Sequence, residues 1–369
     1  IGIMFWTNNY KRTLKYIDKR IGMVDEQSNI ELCCWKGISY YFLEDYINAL
    51  MAFERAGEND CRSPEIKFFL AKCYYARLEL ERAEAYYRYI MYDDELKTIG
   101  LYGYGCCMFR KNRFDEALAF FNRALNNSKT ENRIDILNKK GLCLMEQEKL
   151  MEALSCFEEC LDYSRNKRYI KANIALTLSK LGNYERASKY YKDLLKKIPY
   201  DIITINNLSL CLGAQGKYIE ALKYCNLGLK IDPLNADLLS NRGCFLFYLG
   251  EYNNALECLS EAENSLKDDI GLLNNKALCL MNLKRCNEAL KVFDQILLLG
   301  DNSNEVLLNR AYCLVKNEMY CEALKCLVKI EHEDEKLHDI FILQGICYEK
   351  LGDNVKAVES FNKALTSVG

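Results

Sequence analysis

The side chains of this 369-residue chain best suited to nucleophilic, redox or metal chemistry are 19 cysteines and two histidines, His332 and His338. Two histidines leave little room for imidazole acid–base catalysis or for a histidine-rich metal site. The cysteines are odd in number, no two are spaced Cys-x-x-Cys, and the chain is far longer than a disulfide-stapled mini-domain. They read as free thiols that act as small hydrophobes, which places the chain in a reducing, cytoplasmic compartment. No P-loop, dinucleotide fingerprint, nucleophile elbow or zinc-hydrolase motif occurs, so no catalytic residue, cofactor or metal site is expected and the chain reads as a non-enzyme.

Composition narrows the field further. Half of the residues are apolar, and 50 basic side chains stand against 52 acidic ones. A charge balance this close to neutral argues against a nucleic-acid or acidic-membrane binder, which carries a basic excess. No stretch approaches the roughly 18 consecutive apolar residues of a membrane span.

The thiols point to the elements that position them. Seven cysteines (Cys73, Cys107, Cys143, Cys211, Cys279, Cys313 and Cys347) recur in a common register, and so does a small residue two places earlier in each repeat. That residue is Gly37, Ala71, Gly105, Gly141, Ala175, Ser209, Gly243, Ala277, Ala311 and Gly345; every step is 34 except the one before Gly141, which is 36 and implies two extra loop residues near Glu131 to Arg133. Twelve residues after each comes an alanine without exception, from Ala49 to Ala357, and four further on stands a bulky apolar residue such as Phe53, Tyr87, Phe121, Phe157, Tyr191 or Phe293, with Cys225 the smallest variant. Each period holds two apolar stripes of helical spacing parted by a short polar turn such as Leu249-Gly250-Glu251-Tyr252. Small residues at two fixed places mark where two antiparallel helices cross too closely for larger side chains. One such pair cannot bury its own apolar face, so stability must come from stacking.

This pattern resembles the tetratricopeptide repeat family, with the recurrent small residue at repeat position 8 and the alanine at position 20. The expected fold is an all-α, right-handed superhelical solenoid of antiparallel helix pairs. Its expected divisions are a partial repeat over 1–29 and ten repeats at 30–63, 64–97, 98–133, 134–167, 168–201, 202–235, 236–269, 270–303, 304–337 and 338–369. In the partial repeat, Met4 takes position 11, Thr7-Asn8-Asn9 makes the turn, and Thr13 replaces the alanine. Pro199 and Pro233 fall where a proline ends the second helix, and the acidic run Glu331 to Glu335 reads as a turn between repeats.

The resemblance implies that the first helix of each repeat lines an inner groove, with positions 2, 5, 6, 9, 12 and 13 facing it. Position 6 is asparagine at Asn173, Asn207, Asn241, Asn275 and Asn309, while Asn138, Asn206 and Asn274 add amides one place earlier. A carboxamide offers both donors and an acceptor, so this asparagine ladder would hold an extended peptide backbone; the same amides could instead link neighbouring helices. Early repeats place rings at groove positions: Phe68 and Tyr102 at position 5, Tyr41, Tyr75 and Phe109 at position 12, with Phe42 alongside. Rings of this kind would receive large apolar side chains of a partner. Position 5 never holds lysine and position 9 never asparagine, so the chain departs from the carboxylate-clamp members that bind chaperone C-termini. Acidic residues at position 2 (Glu31, Glu65, Asp135, Asp237, Glu305, Asp339) would favour basic groups on a ligand or simply complement the helix dipole.

The expected function is a protein–protein interaction scaffold that holds an extended partner segment in the groove. The alternative is the substrate-recruiting arm of a larger enzyme or regulator, since Ile1 falls in mid-helix and the chain stops at a repeat boundary. Unfinished ends would also permit self-association, with Phe5 and Trp6 capping another molecule.

Overall fold

A computed structural model describes residues 9–57, 63–128, 130–163, 168–330 and 337–367. The expectations placed on Met4, Phe5, Trp6, Thr7, Asn8 and the run Glu331 to Glu335 lie outside these residues. Among the described residues every regular element is a helix, and the chain divides into two compact halves, residues 1–182 and 183–369.

The N-terminal half holds α1 (Tyr10–Arg20), α2 (Glu26–Phe42), α3 (Tyr46–Gly57), α4 (Pro64–Ala76), α5 (Leu80–Ile90), α6 (Lys97–Arg110), α7 (Phe114–Asn127), α8 (Thr130–Glu146), α9 (Leu150–Tyr163) and α10 (Arg168–Lys180). The C-terminal half holds α11 (Tyr184–Lys197), α12 (Ile202–Ala214), α13 (Tyr218–Ile231), α14 (Ala236–Tyr248), α15 (Tyr252–Glu263), α16 (Ile270–Asn282), α17 (Cys286–Leu298), α18 (Asn304–Lys316), α19 (Tyr320–Leu327), α20 (Leu337–Lys350) and α21 (Asn354–Thr366). Each half is an all-α stack in which consecutive helices pack on one another. In α1, Thr13 is buried at the place where the later second helices have alanine, and its hydroxyl donates to the Asn9 carbonyl at 3.1 Å.

Starts and stops follow local chemistry. Asp25, Asn235, Asp269 and Asp353 accept a backbone N–H of the first turn of α2, α14, α16 and α21, respectively. Pro64 occupies the first position of α4, where its missing N–H costs nothing. Helices α11 and α13 stop two residues before Pro199 and Pro233. The two extra residues of the longer period are a correction to the sequence reading: residues 131–133 lie within α8, so the insertion lengthens that helix and adds no loop.

The turn inside each repeat has one geometry throughout. In the second repeat the Leu78 N–H donates to the Tyr75 carbonyl at 3.1 Å and the Glu79 N–H to that of Tyr74 at 2.9 Å. These are the paired bonds that close a helix through one left-handed residue. That residue has positive φ in all ten repeats: Glu44, Leu78, Asn112, Glu148, Gly182, Gly216, Gly250, Lys284, Glu318 and Gly352.

The crossing points are as tight as the pattern demands. A Cβ added to Gly37, Gly105 or Gly141 would lie 2.6, 2.7 or 2.5 Å from the ring of Phe53, Phe121 or Phe157 in the same repeat. Gly243 and Gly345 stand equally close to Leu259 and Phe361, at 2.7 and 2.5 Å. All ten position-20 alanines are buried, as are the seven cysteines in common register. None of the described cysteines is in a disulfide, and burial pushes the Cys73 and Cys107 thiols up to about 12 and those of Cys143, Cys279 and Cys347 up to about 11. No helix among the described residues is long and apolar enough to cross a membrane.

Candidate functional site

The first helices of the N-terminal half enclose a cavity of about 510 Å³. Tyr41 from α2, Phe68 and Tyr75 from α4 and Tyr102 from α6 all line it, so four of the five rings expected at the groove share one space. Phe109 is not among the lining residues; its ring meets Phe114 edge-on at 5.7 Å. Phe42, also expected nearby, stacks on Tyr10 at 4.8 Å. Position 6 of the third repeat, on the cavity wall, is Gly103, where a Cβ would fall 2.2 Å from the ring of Tyr87, another lining residue. A side chain at that place would collide with the ring and push into the cavity.

Cations line the same space. Lys72 Nζ lies 4.8 Å from the Phe68 ring centroid and 5.5 Å from that of Tyr41. The Arg110 guanidinium sits 4.7 Å over the Tyr75 ring, and its Nε donates to the Tyr75 hydroxyl at 2.9 Å. Lys139 from α8 also lines the cavity, with its Nζ 5.6 Å from the Phe109 ring. Such contacts hold a cation against the negative face of a ring without neutralising it. None of the three forms an ion pair with a carboxylate of the described residues, although Lys111 and Arg133 in the same half pair with Glu81 at 3.0 Å and Glu159 at 2.9 Å. Asp135 is the one carboxylate among the lining residues, and it accepts a hydrogen bond from the Tyr169 hydroxyl at 3.2 Å. Burial lowers the pKa of Lys72 and raises those of the Tyr41 and Tyr75 hydroxyls. The Cys106 thiol on the cavity wall is pushed up to about 11, so it stays protonated at neutral pH.

The sequence reading gave no role to Lys72, Arg110 or Lys139. A usable signal existed. The three fall at positions 9, 13 and 6 of successive repeats, all groove positions, and a census of charge at those places would have shown them.

The amides divide into two groups. Asn173 Nδ2 donates to Asn138 Oδ1 at 2.8 Å in the N-terminal half, and Asn241 Nδ2 donates to Asn206 Oδ1 at 2.8 Å in the C-terminal half. Each bond joins the first helices of neighbouring repeats and uses one of the two amide protons. Asn207, Asn275 and Asn309 are half-buried and make no side-chain hydrogen bond within the described residues. Asn309 lines a second cavity, of about 400 Å³, with Met281, Leu308, Tyr312, Asp339 and Leu343 among its neighbours. Asn274 Oδ1 is buried with no hydrogen-bond partner.

The family model described as Tetratricopeptide repeat matches residues 134–167, 170–196 and 338–367. The three matched segments are tetratricopeptide repeats. Among curated proteins it is similar to the type IV pilus assembly protein PilF of Pseudomonas aeruginosa, 24% identical over 155 residues that make up 42% of this chain and 62% of the relative. The matched part thus spans less than two thirds of that relative's length. Among solved structures, a tetratricopeptide repeat protein from Parabacteroides merdae aligns with 64% of this chain and 93% of its own at 16% identity and a TM-score of 0.49. YrrB, described as a tetratricopeptide repeat protein with an unusual peptide-binding site, aligns over 52% of this chain and 97% of its own at 22% identity and a TM-score of 0.46.

Proposed function

We propose that this tetratricopeptide-repeat protein is a non-catalytic scaffold that holds an extended segment of a partner protein along its first helices. The observation that carries this reading is the convergence of Tyr41, Phe68, Tyr75 and Tyr102, from three successive first helices, on one solvent-open cavity of about 510 Å³. A ring held at the surface of a rigid stack offers large apolar area at little entropic cost, which is why aromatic residues dominate binding hot spots. The half-buried amides of Asn207, Asn275 and Asn309 add backbone donors and acceptors in the C-terminal half. Neither the lysine at position 5 nor the asparagine at position 9 of a carboxylate clamp is present, so the grip differs from that of chaperone-tail adaptors.

The test replaces Asn207, Asn275 and Asn309 by alanine together and measures partner capture beside far-UV circular dichroism. Each hydrogen bond is worth about 0.5–1.5 kcal/mol net, so the triple variant is expected to bind at least about tenfold more weakly with helicity intact. Unchanged capture removes the amides from the interface. Loss of capture in Phe68→Ala alone assigns the grip to the rings of the N-terminal half.

A further inference from the structure

Resting on that scaffold reading, we propose that the N-terminal cavity receives an acidic side chain of the partner segment, set beside a bulky apolar one. Charge complementarity and ring geometry carry the idea. Lys72, Arg110 and Lys139 border the cavity from α4, α6 and α8, and none has a carboxylate ion-pair partner among the described residues. Against these three cations stands the single carboxylate of Asp135, so the wall keeps an excess of positive charge. This excess is local, because the whole chain carries a formal charge of −2.

Two of the cations are held by rings that line the same space: Lys72 by Phe68 and Tyr41, and Arg110 by Tyr75. A ring face steadies an ammonium or guanidinium without satisfying all its donors. The remaining N–H groups are free to meet an anion, and an apolar side chain beside that anion would cover the exposed ring surface. Partial burial strengthens such a pair relative to one in open water. A segment with basic side chains would instead bring like charges together in a partly desolvated space, which costs affinity. The acidic position-2 residues that pointed towards a basic ligand are represented here by Asp135 alone, and three cations outweigh it.

The experiment uses the full chain and short synthetic peptides with amidated C-termini, composed of Glu and Phe, Gln and Phe, or Lys and Phe. A fourth set repeats the Gln and Phe peptides with free C-terminal carboxylates. Wild-type protein is expected to prefer the Glu and Phe set by about tenfold or more, with the preference shrinking as salt is raised. Lys72→Gln, Arg110→Gln and Lys139→Gln should each reduce that preference, and Lys111→Gln, which removes a cation already paired with Glu81, should not. If one of these variants loses helicity, the other two and the salt titration of wild type decide the matter.

Equal retention of Glu and Gln peptides overturns the acidic assignment and leaves the scaffold reading standing. A preference confined to free C-termini overturns it too, because the anion would then be a chain end. Retention of none of the peptide sets, together with unimpaired partner capture by both Phe68→Ala and the triple asparagine variant, would remove both readings, because neither the rings nor the amides would then hold the partner.

Discussion

In residues 1–182 the first helices put four rings and three cations around a shared cavity, whereas in residues 183–369 they put mainly aliphatic side chains, with Tyr312, the Asn309 amide and Asp339, around a smaller one. Both halves are built from the same helix pair, with the same buried alanine and the same tight crossing. The difference in rings and cations lies at groove positions of the first helices. A repeat protein can therefore keep one core and vary what it recognises along its length, because the residues that hold two helices together are not the residues that face a ligand.

Several substitutions would break or sharpen this contrast. The largest expected effect is on the cavity of the N-terminal half: Phe68→Ala should weaken capture of a partner by about 2 kcal/mol, read by isothermal titration, while no comparable single site exists among the amides of the C-terminal half. Overpacking a crossing should be costly in either half, since the core is common to both. Ala221→Leu is expected to cost about 1–3 kcal/mol in urea denaturation, and Gly141→Leu should cost at least as much, because a Cβ there already falls 2.5 Å from the Phe157 ring.

The turns allow a finer comparison. Non-glycine residues occupy the left-handed position in four N-terminal repeats (Glu44, Leu78, Asn112 and Glu148), whereas Gly216, Gly250 and Gly352 occupy it in the C-terminal half beside Lys284 and Glu318. Leu78→Gly should stabilise the protein by about 1 kcal/mol and Gly250→Leu should destabilise it by a similar amount, both measured by thermal melting. Equal and opposite shifts would show that the two halves share one turn and differ only in how well its residue suits it.

The effect that vanishes at neutral pH and grows only in alkali concerns the thiols. Burial lets these thiols keep their protons in the folded protein well above the ordinary thiol range: Cys107 up to about 12 and Cys279 up to about 11. The unfolded chain binds fewer protons than the folded one once its thiols ionise. Stability contributed by these groups is therefore complete below about pH 8.5 and is lost as pH rises towards 11 to 12. Denaturation midpoints should fall steadily over that interval, and Cys107→Ala should flatten the fall slightly.

The fold was legible in the sequence because its cause is steric and periodic. Small residues recur at 34-residue steps, and five of them are glycines whose missing Cβ is occupied by a bulky neighbour. The site was less legible, because contacts between successive first helices run at a different step. Asn173 meets Asn138, Asn241 meets Asn206, and Arg110 meets Tyr75, each 35 residues away. A pattern aligned on 34 places these partners in different columns, so neither the amide pairs nor the cation-lined wall stood out. The lengthened α8 had the opposite difficulty: two inserted residues are visible in the spacing, but spacing alone cannot tell an extra half-turn of helix from a loop.

The buried sulfur atoms have one more consequence. Most of the described thiols lie inside the stack and are chemically quiet while the chain is folded, with Cys321 exposed, yet a single excursion to the open chain bares many of them together. In an oxidising solution such an excursion would be trapped by random cross-linking before the helices could close again. The lifetime of this protein outside a reducing medium would then be governed by how often it opens and hardly at all by its equilibrium stability.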